Sequence, residues 1–145
     1  MLSIFFRITS LVNIYAIREG KTLDNKCYIQ NCLGPAFDEL RRQRLSSGLK
    51  GILLLHDNAW AHVSKMTSSF VEDQGVTVID HPPYSPDLSP CDYWLFDYIK
   101  QRLEEVTSSE MLVNAVTATI ENIDRKEYFK IFERYVERLE YCISV

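Results

Sequence analysis

The stretch HPPYSPDLSPCDYWLF, residues 81–96, gathers four of the five prolines of this 145-residue chain beside two aspartates and four aromatic residues. Proline fixes φ and lacks an N–H donor, so Pro82, Pro83 and Pro86 exclude a strand or helix interior here. Pro90 plays a different part. Ser89-Pro90-Cys91-Asp92 reads as an N-cap, a proline at the first helical position and an acid at the third, close to a capping box. A helix is therefore expected after Pro90, carried on by Leu95, Ile99 and Leu103 to about Glu105. The segment is a stiff connector that delivers Asp92 to a helix start, where the dipole favours a carboxylate.

Upstream, LLLHDNAWAH at 53–62 shows an apolar run that stops on an acid. Ile52–Leu55 reads as a short strand, apolar at every position as in a central strand covered on both faces. Asp57 follows directly, and ligands of open α/β sheets gather at the carboxyl ends of strands. A structural reading stands beside this one: Asp57 or Asn58 caps the next helix. Capping applies to Asp92 as well, and it does not exclude metal binding. A carboxylate held at a helix start is already oriented for a hard cation.

Outward from these two stretches, residues 2–8 and 11–17 read as paired strands with a turn at Thr9-Ser10; Val12, Ile14 and Ala16 alternate with polar neighbours. From Leu23 to Leu45 the pattern is helical, with Thr22 as its cap and Ile29, Leu33, Ala36 and Leu40 on one face. Gly34-Pro35 should kink or split it. Val63, Met66, Thr67, Phe70 and Val71 trace another helix, closed by Gly75. VTVID, 76–80, is a strand. Two final helices span about 109–123 and 126–142, the last burying Phe129, Phe132, Val136 and Leu139. The expected fold is α/β: one domain, 1–145, with a mixed β-sheet that starts with a hairpin, flanking helices and a helical C-terminus.

The 46% hydrophobic and 25% charged fractions are those of a globular protein. A net charge of −4 argues against a free-standing nucleic-acid binder driven by electrostatics, but suits a site that holds metal with acids. The four cysteines lack zinc-site spacing and read as reduced thiols. Arg7 interrupts the N-terminal apolar run and no basic region precedes it, so no signal peptide is expected. No run reaches the roughly 18 apolar residues of a membrane span. An intracellular protein without a membrane partner follows.

Asp57 and Asp92, with thirty-four residues between them, each sit in a distinctive local sequence. Here the chain resembles the catalytic domain of mariner-type transposases, DDE-class enzymes with an RNase H-like fold. The resemblance is carried by HDNAWAH (56–62), HPPYSPDLSPCDYWLF (81–96), the opening LSIFF and the closing ERLEYCIS, and it covers essentially the whole chain. It implies that Asp57 and Asp92 are the second and third catalytic acids and metal ligands; an aspartate in third place points to the mariner branch. Asp87, the nearest rival to Asp92, is assigned to a turn. His56, Asn58 and His62 are site neighbours, His62 positioning or packing and His81 closing a strand end. The implied cofactors are two Mg²⁺ or Mn²⁺ ions roughly 4 Å apart, serving DNA strand cleavage and transfer in the nucleus. Loop 82–90 is implied as a contact surface, either to DNA or to a second copy of the chain in a homodimer.

Departures from the pattern shape the expectation. The resemblance places the first catalytic aspartate on a strand that would precede Met1, and Glu19, Asp24, Asp38 and Glu39 fall in a turn or on the first helix. The family's helix-turn-helix region has no counterpart. The chain thus reads as a partial catalytic domain that holds ions poorly, cleaves no DNA by itself and binds DNA weakly. The alternative is a non-enzymatic module recruited for nucleic-acid or protein interaction. Trp60 stands where the family carries a small or basic residue. Burial beneath the site is expected of it, with stacking on a base as the alternative.

Overall fold

In the computed structural model, which describes residues 1–103 and 108–145, Leu2–Arg7 and Ser10–Ala16 form strands β1 and β2 of a hairpin. Its open end is closed by the Ile17 N–H, which donates to the Met1 carbonyl at 2.8 Å. The chain divides into two units: Met1–Phe5 with Val12–Pro83, and Phe6–Leu11 with Tyr84–Val145.

In the first unit, α1 (Asn25–Cys27), a π-helical turn (Tyr28–Leu33) and α2 (Gly34–Gln43) run on without a break. Asp24, not Thr22, is the cap: its Oδ1 accepts the Cys27 N–H at 2.7 Å, and a carboxylate also gains from the helix dipole. The proline neither ends the helix nor splits it. Pro35 has no N–H for the carbonyl four residues back, so the preceding turn widens and the Gly34 N–H donates to Ile29 O instead. Gly34 is required there, since a Cβ would stand 2.9 Å from that carbonyl oxygen. The wide turn also rotates the buried stripe. Tyr28, Cys32 and Leu33 are buried ahead of it and Ala36, Phe37 and Leu40 after it, whereas Ile29 is only half-buried.

Against this helix pack Val12, Leu49, Leu54, Ala61, Val71 and Val76, forming one apolar core. Each of these valines and leucines contributes roughly 1.5–3 kcal/mol when fully buried. β3 (Leu53–Leu54) pairs in parallel with β4 (Thr77–Val78), Leu53 opposite Thr77 and Leu54 opposite Val78. The run Ile52–Leu55 is not covered on both faces, because alternation sends Leu54 into the core and leaves Leu53 63% exposed. Among the described residues the strands form two small two-stranded sheets. After α3 (Trp60–Val63), Ser64 caps α4 (Lys65–Asp73). Gly75, at φ +72°, ends α4 as the pattern predicts: Val76 N–H donates to Val71 O and Gly75 N–H to Glu72 O.

The second unit holds a 3₁₀ turn (Pro86–Leu88), a π-helical turn (Cys91–Leu95), α5 (Phe96–Lys100), α6 (Ser109–Glu121) and α7 (Arg125–Ser144). The expected end of the proline-led helix at Glu105 lies outside the described residues. Leu95 and Ile99 are buried, with Val116, Ile120 and Ile123. On α7 the buried positions are Tyr128, Ile131 and Tyr135, while Phe129 and Val136 are exposed. The helix is apolar on two stripes; on the inner one Tyr128 keeps its hydroxyl satisfied by donating to Ile120 O at 3.2 Å. Phe6, Trp94, Tyr98, Tyr128 and Phe132 make a chain of ring contacts with centroids 5.6–6.0 Å apart. The mixed α/β order and the helical C-terminus are as the sequence predicts. Among the described residues no helix is long and apolar enough to cross a membrane.

Candidate functional site

His56, Asp57, Asn58 and His62 lie together in the first unit, between β3 and the end of α3. Asp57 Oδ1 accepts the Ala59 N–H at 3.0 Å in a local turn ahead of α3; Ala59 itself takes the cap position of α3 and no side chain caps it, so the capping role expected of Asp57 or Asn58 is not what the structure shows. The same oxygen stands 2.7 Å from His62 Nδ1. That nitrogen is buried and has no aligned hydrogen bond. The Asp57 side chain is 56% exposed and its anchor His62 only 16%. Asn58 Nδ2 donates to the His81 carbonyl at 2.6 Å, tying the Asp57 loop to the segment that follows β4.

Beside the loop, three rings are clustered, each touching the other two. His62 lies 4.3 Å from the Tyr28 ring and 5.0 Å from His56, the two imidazoles within 6° of parallel. The Tyr28 hydroxyl and His56 Nδ1 share a hydrogen bond of 2.9 Å. Burial, followed by the neighbouring His62, pushes His56 down to about 4 against the opposing pull of Asp57. His56 is therefore a neutral packing group near pH 7. Tyr28 was not legible as a site residue: nothing in its local sequence ties it to a histidine 28 positions on.

Asp92 belongs to the second unit and is exposed in the first turn after Pro90. Ser89 holds that turn through its backbone carbonyl, which accepts the N–H groups of Asp92 (2.9 Å) and Tyr93 (3.0 Å). Tyr93 fastens the turn to α7, its hydroxyl donating to Ile131 O at 2.9 Å. The Arg138 guanidinium stacks 4.3 Å above the Tyr93 ring and Nη1 donates to the Asp87 carbonyl at 3.0 Å. Burial pushes the Tyr93 phenol up to about 12 despite Arg138, so it remains a donor. Asp87 sits in the 3₁₀ turn, as its place between prolines predicts.

Two findings change or sharpen the sequence reading. Trp60 is 66% exposed, not buried beneath the site; the first residue of α3 points outward and Ala61 takes the inner position. Tyr84, at φ +53°, is fully exposed at the tip of the proline-rich loop. An oriented, half-exposed carboxylate with hard oxygen donors fits Mg²⁺ or Mn²⁺. Among the described residues, however, no three His, Cys, Asp or Glu side chains are grouped so as to hold an ion together.

No protein-family model matches the chain. Over 151 residues it is 29% identical to human histone-lysine N-methyltransferase SETMAR, covering 99% of this chain and 21% of that protein. Over 148 residues it is 26% identical to the mariner Mos1 transposase of Drosophila mauritiana, covering 99% and 43%. The chain thus spans less than half the length of either relative. The crystal structure of the Mos1 catalytic domain matches with a TM-score of 0.90 at 24% identity over 99% of this chain and 72% of that one. The Mos1 catalytic domain with raltegravir and Mg has the same TM-score and identity, covering 99% and 73%. The Mos1 paired-end complex with the left transposon end matches at 0.90 and 26%, covering 99% and 42%. The fold is therefore that of the Mos1 catalytic domain.

Proposed function

For a chain that is a relative of the mariner-type transposase catalytic domain, we propose that Asp57 and Asp92 are carboxylates of a DNA strand-cleavage and strand-transfer site. The observation that carries this is Asp57 itself: the acid of HDNAWAH is pre-oriented by Ala59 and His62 yet half open to solvent. Asp92 is held on a proline-led turn fastened through Tyr93, and it is exposed too. Mg²⁺ or Mn²⁺ bound by these residues supplies Lewis-acid activation of an attacking hydroxyl and stabilises the leaving oxygen. The chain's own residues do the holding: His62 and Ala59 orient Asp57, Ser89 and Tyr93 orient Asp92, and Asn58 ties down the first loop. The work belongs in the nucleus, where the DNA substrate lies.

Two acids supply few oxygens for two octahedral ions, so the 145-residue chain binds metal weakly, roughly in the millimolar range. The test is Mn²⁺ titration followed by the electron paramagnetic resonance of free ion. Asp57→Asn and Asp92→Asn each lower the binding while Asp87→Asn leaves it unchanged. Equal loss in all three variants points to a diffuse acidic surface and sinks the assignment.

A second reading is favoured by Tyr84 and the exposed prolines around it. In it, loop 82–90 is a contact surface for DNA or for a second copy of the chain, and the scaffold serves interaction without catalysis. Sedimentation of wild type and Tyr84→Ser distinguishes the partners. A dimer lost in the variant supports self-association, and a monomer in both removes it.

A further inference from the structure

The reading of Asp57 as a metal ligand leaves open which of its oxygens faces the ion and what holds it there. Resting on that reading, we infer that His62 is a positioning residue that occupies Asp57 Oδ1, so that Oδ2 is the oxygen offered to a divalent ion. Oδ1 is engaged twice, by the Ala59 N–H at 3.0 Å and by His62 Nδ1 at 2.7 Å.

The ring of His62 cannot swing to follow the carboxylate. It lies against Tyr28 at 4.3 Å and is stacked on His56 at 5.0 Å within 6° of parallel. Tyr28 is a fully buried member of the first unit's core, and its hydroxyl bond to His56 Nδ1 fixes the second imidazole. The three mutually touching rings thus hold His62 against the core, and its Nδ1 is the point of contact with the Asp57 side chain.

The nitrogen needs this contact. A phenylalanine would fill the same space, whereas a buried polar nitrogen without a partner is destabilising. His62 Nδ1 is buried and has no aligned hydrogen bond, and the Asp57 carboxylate is the group that compensates it. Outer-shell partners that orient a ligating carboxylate typically change metal affinity about 10–100-fold when removed.

The experiment separates packing from positioning with two variants that move them in opposite directions. Mn²⁺ affinity and thermal midpoint are measured on the full chain for wild type, His62→Phe, His62→Asn and Asp57→Asn. His62→Phe keeps the stacked ring and so the midpoint, but binds Mn²⁺ about 10-fold more weakly. His62→Asn loses ring packing and lowers the midpoint, yet keeps a polar side chain able to contact Oδ1 and recovers most of the affinity. Affinity that follows the midpoint through both variants makes His62 a packing residue and overturns the inference. So does wild-type binding in His62→Phe when Asp57→Asn has lost it. Wild-type binding in Asp57→Asn overturns instead the reading of Asp57 as a ligand, and the inference with it.

Discussion

The Tyr93 hydroxyl donates to the Ile131 carbonyl at 2.9 Å, so the turn that carries Asp92 is fastened to α7 by the residue immediately after the acid. The bond joins residues 38 positions apart and spans the second unit. Tyr93→Phe removes the donor and keeps the ring beneath Arg138. It should lower stability by about 1 kcal/mol, read as a lower urea midpoint at unchanged slope. An unchanged midpoint means that the turn is held by Ser89 and by packing alone.

Gly34→Ala reverses the usual sign of a helical glycine substitution. Alanine is favoured over glycine in an ordinary helix by about 1 kcal/mol. Here the new Cβ meets the Ile29 carbonyl oxygen at 2.9 Å inside a turn already widened by Pro35. The variant should be destabilised by about 1–3 kcal/mol. A raised midpoint would show that the turn reverts to ordinary α geometry at no cost.

Acid should weaken the first unit through His56. Its value in the fold is about 4 against an ordinary 6.5, chiefly because burial disfavours the charged ring. A depressed value means that the stabilising effect of the neutral ring is complete above pH 6.5. It is lost as pH falls from there towards 4, by a total on the order of 3 kcal/mol. Denaturant midpoints between pH 7 and 4 in chelating buffer read this slope. His56→Gln should flatten it, and an equal slope in the variant assigns the acid sensitivity to other groups.

Trp60 offers an indole to solvent three residues beyond Asp57. Stacking of an unpaired base on an exposed aromatic contributes about 1–3 kcal/mol. A short thymidine oligonucleotide at low salt should therefore quench tryptophan emission, with the effect fading as salt rises. Trp94→Phe should keep the quenching and Trp60→Ala should lose it. Quenching that survives Trp60→Ala places the contact elsewhere.

Local sequence made the punctuation of the fold legible, because its causes are local. Pro90 opens a helix with Asp92 in its first turn, and Gly75 ends one with a left-handed residue, both within a few residues of the groups that decide them. Faces were harder to read. A regular 3.6-residue period put Ile29 inward, but the π turn forced by Pro35 turned Tyr28 and Cys32 to the core. On α7 both Phe129/Val136 and Tyr128/Tyr135 form apolar stripes, and hydropathy alone favours the wrong one. The surroundings of the inner stripe are tertiary, with partners such as Ile120 O, which no window of sequence contains. Tyr28 is not legible as a site residue for the same reason, and the exposure of Trp60 follows from its place as first residue of a four-residue helix whose inner position goes to Ala61.

The central claim is that Asp57 and Asp92 are catalytic carboxylates that need further ligands to hold two ions. Its most direct test is nicking of transposon-end DNA in Mg²⁺ or Mn²⁺. The assay compares the 145-residue chain with a version extended by the aspartate-bearing upstream strand that the family resemblance implies. Two acids leave one ion poorly held, so the 145-residue chain should nick at background level. The extended version should nick in a metal-dependent way and lose this with either Asp57→Ala or Asp92→Ala. Metal-dependent nicking by the 145-residue chain itself, or nicking by the extended version that survives Asp92→Ala, would contradict the account.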